Sequence, residues 1–243
     1  MKEERLKKEK QDMLGFYDYT VVLTYISLAV SVFGMTRALE GDFKVAILCL
    51  ALSGLCDMFD GKIARTKKNR TEDEKKFGIQ IDSLCDVVCF GVFPAMICYL
   101  MGVRGALGWF CIGYYTICGV IRLAFFNVLE IERQQNEDGA NHYYHGLPIT
   151  TVAIVLPLIF VVQMVLNNTT FLVLLHVMLL TVGTLFVVDF KLRKPGNLVL
   201  TGIVVVVAIA VLLVIFNSKM MVPKMHFPRT SFWKWITEYF IMG

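Results

Sequence analysis

The chain has 243 residues, of which 56% are hydrophobic, and 24 Lys and Arg stand against 20 Asp and Glu for a formal charge of +4. Its mean hydropathy is +0.62, and its charges gather in short clusters. A soluble globular domain is therefore excluded, because no polar segment is long enough to bury a core of its own. An all-α, polytopic membrane bundle is expected, with the lipid bilayer as a partner and no nucleic acid.

Lys2, Arg5, Lys7, Lys8 and Lys10 open the chain. The apolar stretch after them is too long for a secretory leader and lacks an Ala-x-Ala-like cleavage site, so it reads as an uncleaved first helix. Spans of about twenty residues, the length that crosses a bilayer, fall near Tyr19–Ala38, Phe43–Gly61, Gly78–Gly102, Gly105–Leu129, Leu147–Leu166, Phe171–Val188 and Leu198–Phe216. The segment beyond, with Trp233, Trp235 and Tyr239 among Lys234 and Glu238, is too short and polar to span. It reads as an interfacial or flexible tail, which divides the chain into a transmembrane domain, 1–216, and a tail, 217–243.

Basic residues orient the spans. Lys62, Arg65, Lys67, Lys68, Arg70, Lys75 and Lys76 lie between the second and third spans, and Lys191, Arg193 and Lys194 between the sixth and seventh. The opposite loops offer only Arg37, Lys44 and Arg104. The N-terminus and the second-to-third loop are thus expected in the cytoplasm, in a plasma-membrane protein. All seven cysteines fall inside spans without zinc-site spacing, so they read as packing residues and no disulfide is expected.

The chemistry concentrates where the second span ends and the third begins. Asp57, Asp60 and Ala64 stand at i, i+3 and i+7, and Gly78, Asp82 and Asp86 run in steps of four, so each set shares one helical face. A carboxylate at the end of an apolar span is costly and functional by default. Four at close quarters need cations between them, and hard oxygen donors suit Mg²⁺ or Mn²⁺ better than zinc or copper. The pattern points to a site for two divalent ions at one membrane face.

Asp57-x-x-Asp60-Gly61-x-x-Ala64-Arg65 followed by Gly78-x-x-x-Asp82-x-x-x-Asp86 resembles the signature of the CDP-alcohol phosphotransferase family. That family consists of integral membrane enzymes that join a CDP-activated lipid to a small alcohol. The resemblance implies a six-helix core, here with about one further span, and a homodimer. It implies that Asp57, Asp60 and Asp82 hold the metals, with Asp86 as general base and further ligand. It also places Gly61, Ala64, Arg65 and Gly78 around the nucleotide and its phosphates. The twelve residues Thr66–Phe77 exceed the family's usual spacing and read as a polar surface loop, since lengthening a loop costs little.

Asp82-Ser-Leu-Cys-Asp86-Val-Val-Cys-Phe-Gly-Val-Phe-Pro94, Arg122-Leu-Ala-Phe-Phe-Asn127 and His145-Gly-Leu-Pro148 resemble stretches of bacterial phosphatidylserine synthases, with Phe125 and His145 as departures. That subfamily implies CDP-diacylglycerol and L-serine as substrates, giving phosphatidylserine and CMP. Arg122, Asn127 and His145 become candidate acceptor contacts. For Arg122 the alternatives are the serine carboxylate, the lipid phosphate or a structural ion pair; for Gly146-Leu147-Pro148, a helix start or a substrate contact. Ser53 and Gly54, and likewise Thr20 and Thr24, read equally as packing or phosphate contacts. Two other functions stay open: the same transfer to glycerol 3-phosphate, inositol phosphate or another alcohol, and a divalent-cation transporter. The latter accounts for the aspartates but not for Gly61, Ala64 and Arg65.

Overall fold

The computed structural model describes residues 15–17, 19–64, 66, 67, 70–135, 143–193 and 196–216. Helix α1 spans Tyr19–Leu39, α2 Phe43–Ala64 and α3 Glu72–Asp86, and a π-helical segment, Val87–Val92, carries α3 into α4, Phe93–Leu100. Helix α5 follows at Gly105–Gln135, then strand β1 at Tyr143–His145. A 3₁₀ turn at Ile149–Thr151 leads into α6, Val152–Val162; α7 is Asn168–Val187, β2 Lys191–Arg193 and α8 Asn197–Phe216. Every expected span is helical. Among the described residues, five helical stretches are long and apolar enough to cross a membrane, and Ile149–Val162 is a shorter apolar one. Helix α2 is long enough but carries Lys44, Asp57, Asp60 and Lys62. The tail, 217–243, lies outside the described residues.

Two boundaries differ from the sequence reading. The third span begins at Glu72 rather than Gly78, because Thr71 and Glu74 form a reciprocal capping box that starts α3 within the polar loop. The fifth is shorter than Leu147–Leu166: it begins at the 3₁₀ turn Ile149, after Gly146 at φ +71° and the extended Pro148, and ends at Val162. The all-α expectation gains one addition, an antiparallel ribbon that pairs Tyr143 with Arg193 and His145 with Lys191.

Helix α1 turns Thr20, Thr24, Ser27, Ser31, Gly34 and Ala38, in alternating steps of four and three, into one buried stripe. Between membrane helices, close approach and hydroxyl bonds replace the hydrophobic drive. Ser31 Oγ donates to Ser53 Oγ of α2 at 2.9 Å, and Ser27 Oγ lies 2.6 Å from the same hydroxyl. A Cβ on Gly34 would come within 2.7 Å of Cys49 Cβ and 2.5 Å of the Phe93 ring. The stripe thus locks α1 onto α2 and onto the start of α4.

The π-helical segment has an identifiable support. Pro94, in the first turn of α4, has no N–H to return to the preceding turn. The fully buried Tyr115 of α5 donates its hydroxyl to the carbonyl of Phe90 instead. An aromatic on a neighbouring helix therefore satisfies backbone that the proline leaves open, as a lipid-facing helix cannot do for itself.

One end of the bundle gathers the starts of α1 and α3 and the ends of α2, α5 and α7. The Tyr19 hydroxyl lies 3.2 Å from Thr66 Oγ1, and Ser83 Oγ of α3 donates to Asn127 Oδ1 of α5 at 2.6 Å. Leu147 N donates to Leu185 O at 3.1 Å, which caps a carbonyl left over at the end of α7, and Gly146 N donates to Phe190 O just beyond it at 2.9 Å. At the opposite end Arg37 pairs with Glu40 and, at 2.9 Å, with Asp42, so its charge is locally neutralised.

Candidate active site

The last turns of α2 and the length of α3 bring all four aspartates together. One carboxylate oxygen each from Asp57, Asp82 and Asp86 lies within 4.8 Å of the others. Asp60 faces Asp82, and its Oδ2 accepts from Thr24 Oγ1 of α1 at 3.3 Å. Asp60 and Asp86 are only 8% and 9% exposed. Among the described residues, no Lys or Arg pairs with any of the four. That separates this cluster from a structural salt-bridge network. Clustered buried carboxylates without basic partners stay ionised together only with cations between them, and an all-oxygen donor set fits Mg²⁺ or Mn²⁺.

The two glycines of α2 near the site have opposite surroundings. A Cβ on Gly54 would stand 2.6 Å from Ala153 Cβ of α6, so Gly54 serves helix packing. Among the described residues, a Cβ on Gly61 would meet nothing within 4 Å, so none of them demands a glycine beside Asp60. Open space there is what a bound ligand would need. Gly54→Leu is expected to lower the melting temperature, since overpacking costs about 1–3 kcal/mol. Gly61→Leu should leave melting unchanged while lowering activity, because it fills space left open beside Asp60. Thermal melts and steady-state kinetics of the two variants check this; equal destabilisation would remove the distinction.

Ala64 is the last residue of α2, and Arg65 lies outside the described residues. Gly78 faces the guanidinium of Arg70: a Cβ there would lie 2.6 Å from Arg70 Nη2. Ser53 joins the buried hydroxyl cluster, which gives it a packing role. Arg122, 6% exposed, donates from Nε to Leu147 O at 3.1 Å and sits 5.4 Å from the Phe126 ring centroid. It thereby ties α5 to the Gly146-Leu147-Pro148 turn, in which Pro148 caps the 3₁₀ start of the next helical stretch. The helix-start reading of that turn is the one its geometry fits. Asn127 reaches the aspartate helix through Ser83, beside Asp82. His145 stands in β1, opposite Lys191. His176 bonds through Nδ1 to Leu172 O at 2.7 Å, as an interior histidine does.

Two features had escaped the sequence reading. The loop before α3, taken as a tolerated insertion, places Arg70 against the signature glycine. The π-helical segment begins directly after Asp86, a position such segments often take at functional sites. Gly91 and Pro94 close behind Asp86 were the available signal.

Residues 19–188 match the family model for CDP-alcohol phosphatidyltransferase. Over 133 residues the chain is 32% identical to the CDP-diacylglycerol–serine O-phosphatidyltransferase of Mycobacterium tuberculosis, a stretch covering 54% of this chain and 45% of that protein. The protein of the same name from Saccharomyces cerevisiae is 36% identical over 115 residues, or 46% and 40% of the two chains. That from Helicobacter pylori is 31% identical over 144 residues, or 58% and 56%. The chain thus spans about half the length of the curated relatives it matches. No solved structure matches. The family match runs from the first described helix to the end of α7 and contains both aspartate helices, so the chain belongs to the CDP-alcohol phosphatidyltransferase family.

Proposed function

We propose that this protein transfers the phosphatidyl group of CDP-diacylglycerol to L-serine, forming phosphatidylserine and releasing CMP. The observation that carries the reading is, among the described residues, the convergence of four carboxylates without basic partners beside a glycine that opens onto free space. Serine as acceptor is supported by the names of the relatives and by the run from Asp82 to Pro94. Asp57, Asp60, Asp82 and Asp86 would hold two Mg²⁺ or Mn²⁺ ions. When bound, these neutralise the diphosphate and favour its in-line displacement.

The chain's own residues supply the rest. Thr24 orients Asp60 through its hydroxyl. Gly61, Ala64, Arg65 and Gly78 border the nucleotide and its phosphates. Asp86 takes the proton of the serine hydroxyl as that oxygen attacks the lipid-bearing phosphorus. The bond from this phosphorus to the CMP oxygen breaks, and CMP departs. Arg122, Asn127 and His145 lie toward the acceptor. The site faces the cytoplasm, because Lys67, Arg70, Lys75, Lys76 and Lys191 crowd the same end of the bundle. The enzyme is a plasma-membrane homodimer, with 1–216 as its membrane domain and 217–243 as an amphipathic or flexible tail.

Arg122→Ala is expected to raise the serine KM more than the lipid KM, measured by steady-state kinetics. Equal rises would leave Arg122 a structural residue that holds α5 to the turn at Leu147. The reading as a whole is tested by incubating purified protein with CDP-diacylglycerol, Mn²⁺ and labelled serine, in parallel with glycerol 3-phosphate and inositol phosphate. Labelled lipid with CMP release from serine alone supports it. CMP release only with another alcohol transfers the assignment to that acceptor, and none with any alcohol rejects the activity.

A further inference from the structure

We propose that Arg70 is a phosphate-binding residue of the site, holding the nucleotide-side phosphate of the CDP-lipid, and that position 78 is a glycine in order to seat it. The inference rests on the transferase reading above. Gly78, Asp82 and Asp86 share one face of α3. Arg70 Nη2 lies 2.6 Å from where a Gly78 Cβ would stand. A guanidinium therefore covers that face one turn, about 6 Å of helical rise, outward of Asp82.

Its surroundings fix it without neutralising it. Arg70 Nη2 donates to the backbone carbonyl of Glu74 at 3.2 Å. The Glu74 carboxylate is already engaged, by Lys67 Nζ at 3.1 Å and by Thr71 N at 2.7 Å. Among the described residues, no carboxylate pairs with Arg70. Its Nε is buried and has no hydrogen-bond partner among the described residues. A buried donor left unmade costs free energy, and such a group signals an acceptor that the protein itself does not provide.

The chemistry of the missing acceptor follows from position. A planar guanidinium fork matches a phosphate. The acceptor hydroxyl must reach Asp86, a full turn inward from Asp82, which leaves the outward side to the nucleotide half of the diphosphate. There the guanidinium offsets the negative charge that grows on CMP as it leaves. The long connection between α2 and α3 is thus the means by which a further arginine is delivered to the site.

The test uses the full chain in detergent, as wild type, Arg70→Ala, Arg70→Gln, Arg70→Lys and Gly78→Ala. CMP affinity is measured by calorimetry with Mn²⁺ present, KM for both substrates by kinetics, and folding by thermal melts. In Arg70→Ala and Arg70→Gln, the CMP dissociation constant and the KM for CDP-diacylglycerol should each rise by about tenfold to a hundredfold, with the serine KM unchanged. Arg70→Lys should recover part of the loss, and Gly78→Ala should weaken CMP binding by displacing an intact arginine. Wild-type CMP affinity in either neutral variant overturns the proposal, as does a rise confined to the serine KM, which would give Arg70 to the acceptor carboxylate. Weak CMP binding seen only where the melt shows unfolding overturns it as well, in favour of a purely structural arginine. If the wild type released no CMP with any alcohol, the transferase reading would fall, while CMP calorimetry would still decide whether Arg70 binds phosphate.

Discussion

Asp86→Asn is expected to lower turnover by about 10²- to 10⁴-fold, the usual contribution of a positioned general base, while CDP-diacylglycerol binding stays near wild type. The reasoning joins burial to chemistry. Asp86 is 9% exposed, at the last residue of α3, where the next segment departs from α-helical spacing. Asparagine keeps the shape and one oxygen donor but cannot take the proton of a serine hydroxyl. Steady-state kinetics and equilibrium binding of the CDP-lipid, on the same preparation, separate the two effects. Near-normal turnover would remove Asp86 from proton transfer, and loss of lipid binding in parallel with turnover would make it a ligand-holding residue alone.

Asp82→Ala should have the second large effect, on metal binding itself. Asp82 belongs to the group with Asp57 and Asp86 and also faces Asp60, so its loss withdraws oxygen from both halves of the cluster. Mn²⁺ affinity is expected to fall by at least about 100-fold, a loss of roughly 2.8 kcal/mol or more at 1.4 kcal/mol per decade. Turnover should become undetectable at millimolar metal. Titration followed by the electron paramagnetic resonance of free Mn²⁺ reads the affinity without reference to activity. An unchanged titration would mean that the ions bind elsewhere.

Much of this architecture is legible in the amino-acid sequence. The helices announce themselves as apolar runs of bilayer length, and the aspartates by spacing that only a helix converts into one face. What the sequence withheld depends on contacts between distant segments. Ser27, Ser31 and Ser53 are indistinct in apolar runs until the packing of α1 on α2 makes them one buried cluster. Gly54 and Gly61 look alike in sequence, and only the neighbour of each separates packing from open space. Pro94 hints at irregular helix, but the compensating hydroxyl comes from Tyr115, on another helix. Arg70 was hidden for a related reason: a longer loop reads as neutral until its path shows where its side chains land. The three-residue strands of the ribbon carry too short a pattern to be read at all.

The most direct test of the account is anomalous scattering from Mn²⁺ in crystals of the wild-type protein grown with Mn²⁺ and CMP. Two peaks bounded by Asp57, Asp60, Asp82 and Asp86, with the CMP phosphate between them and Arg70, are expected. Peaks at other residues, or a nucleotide bound away from this cluster, would contradict it.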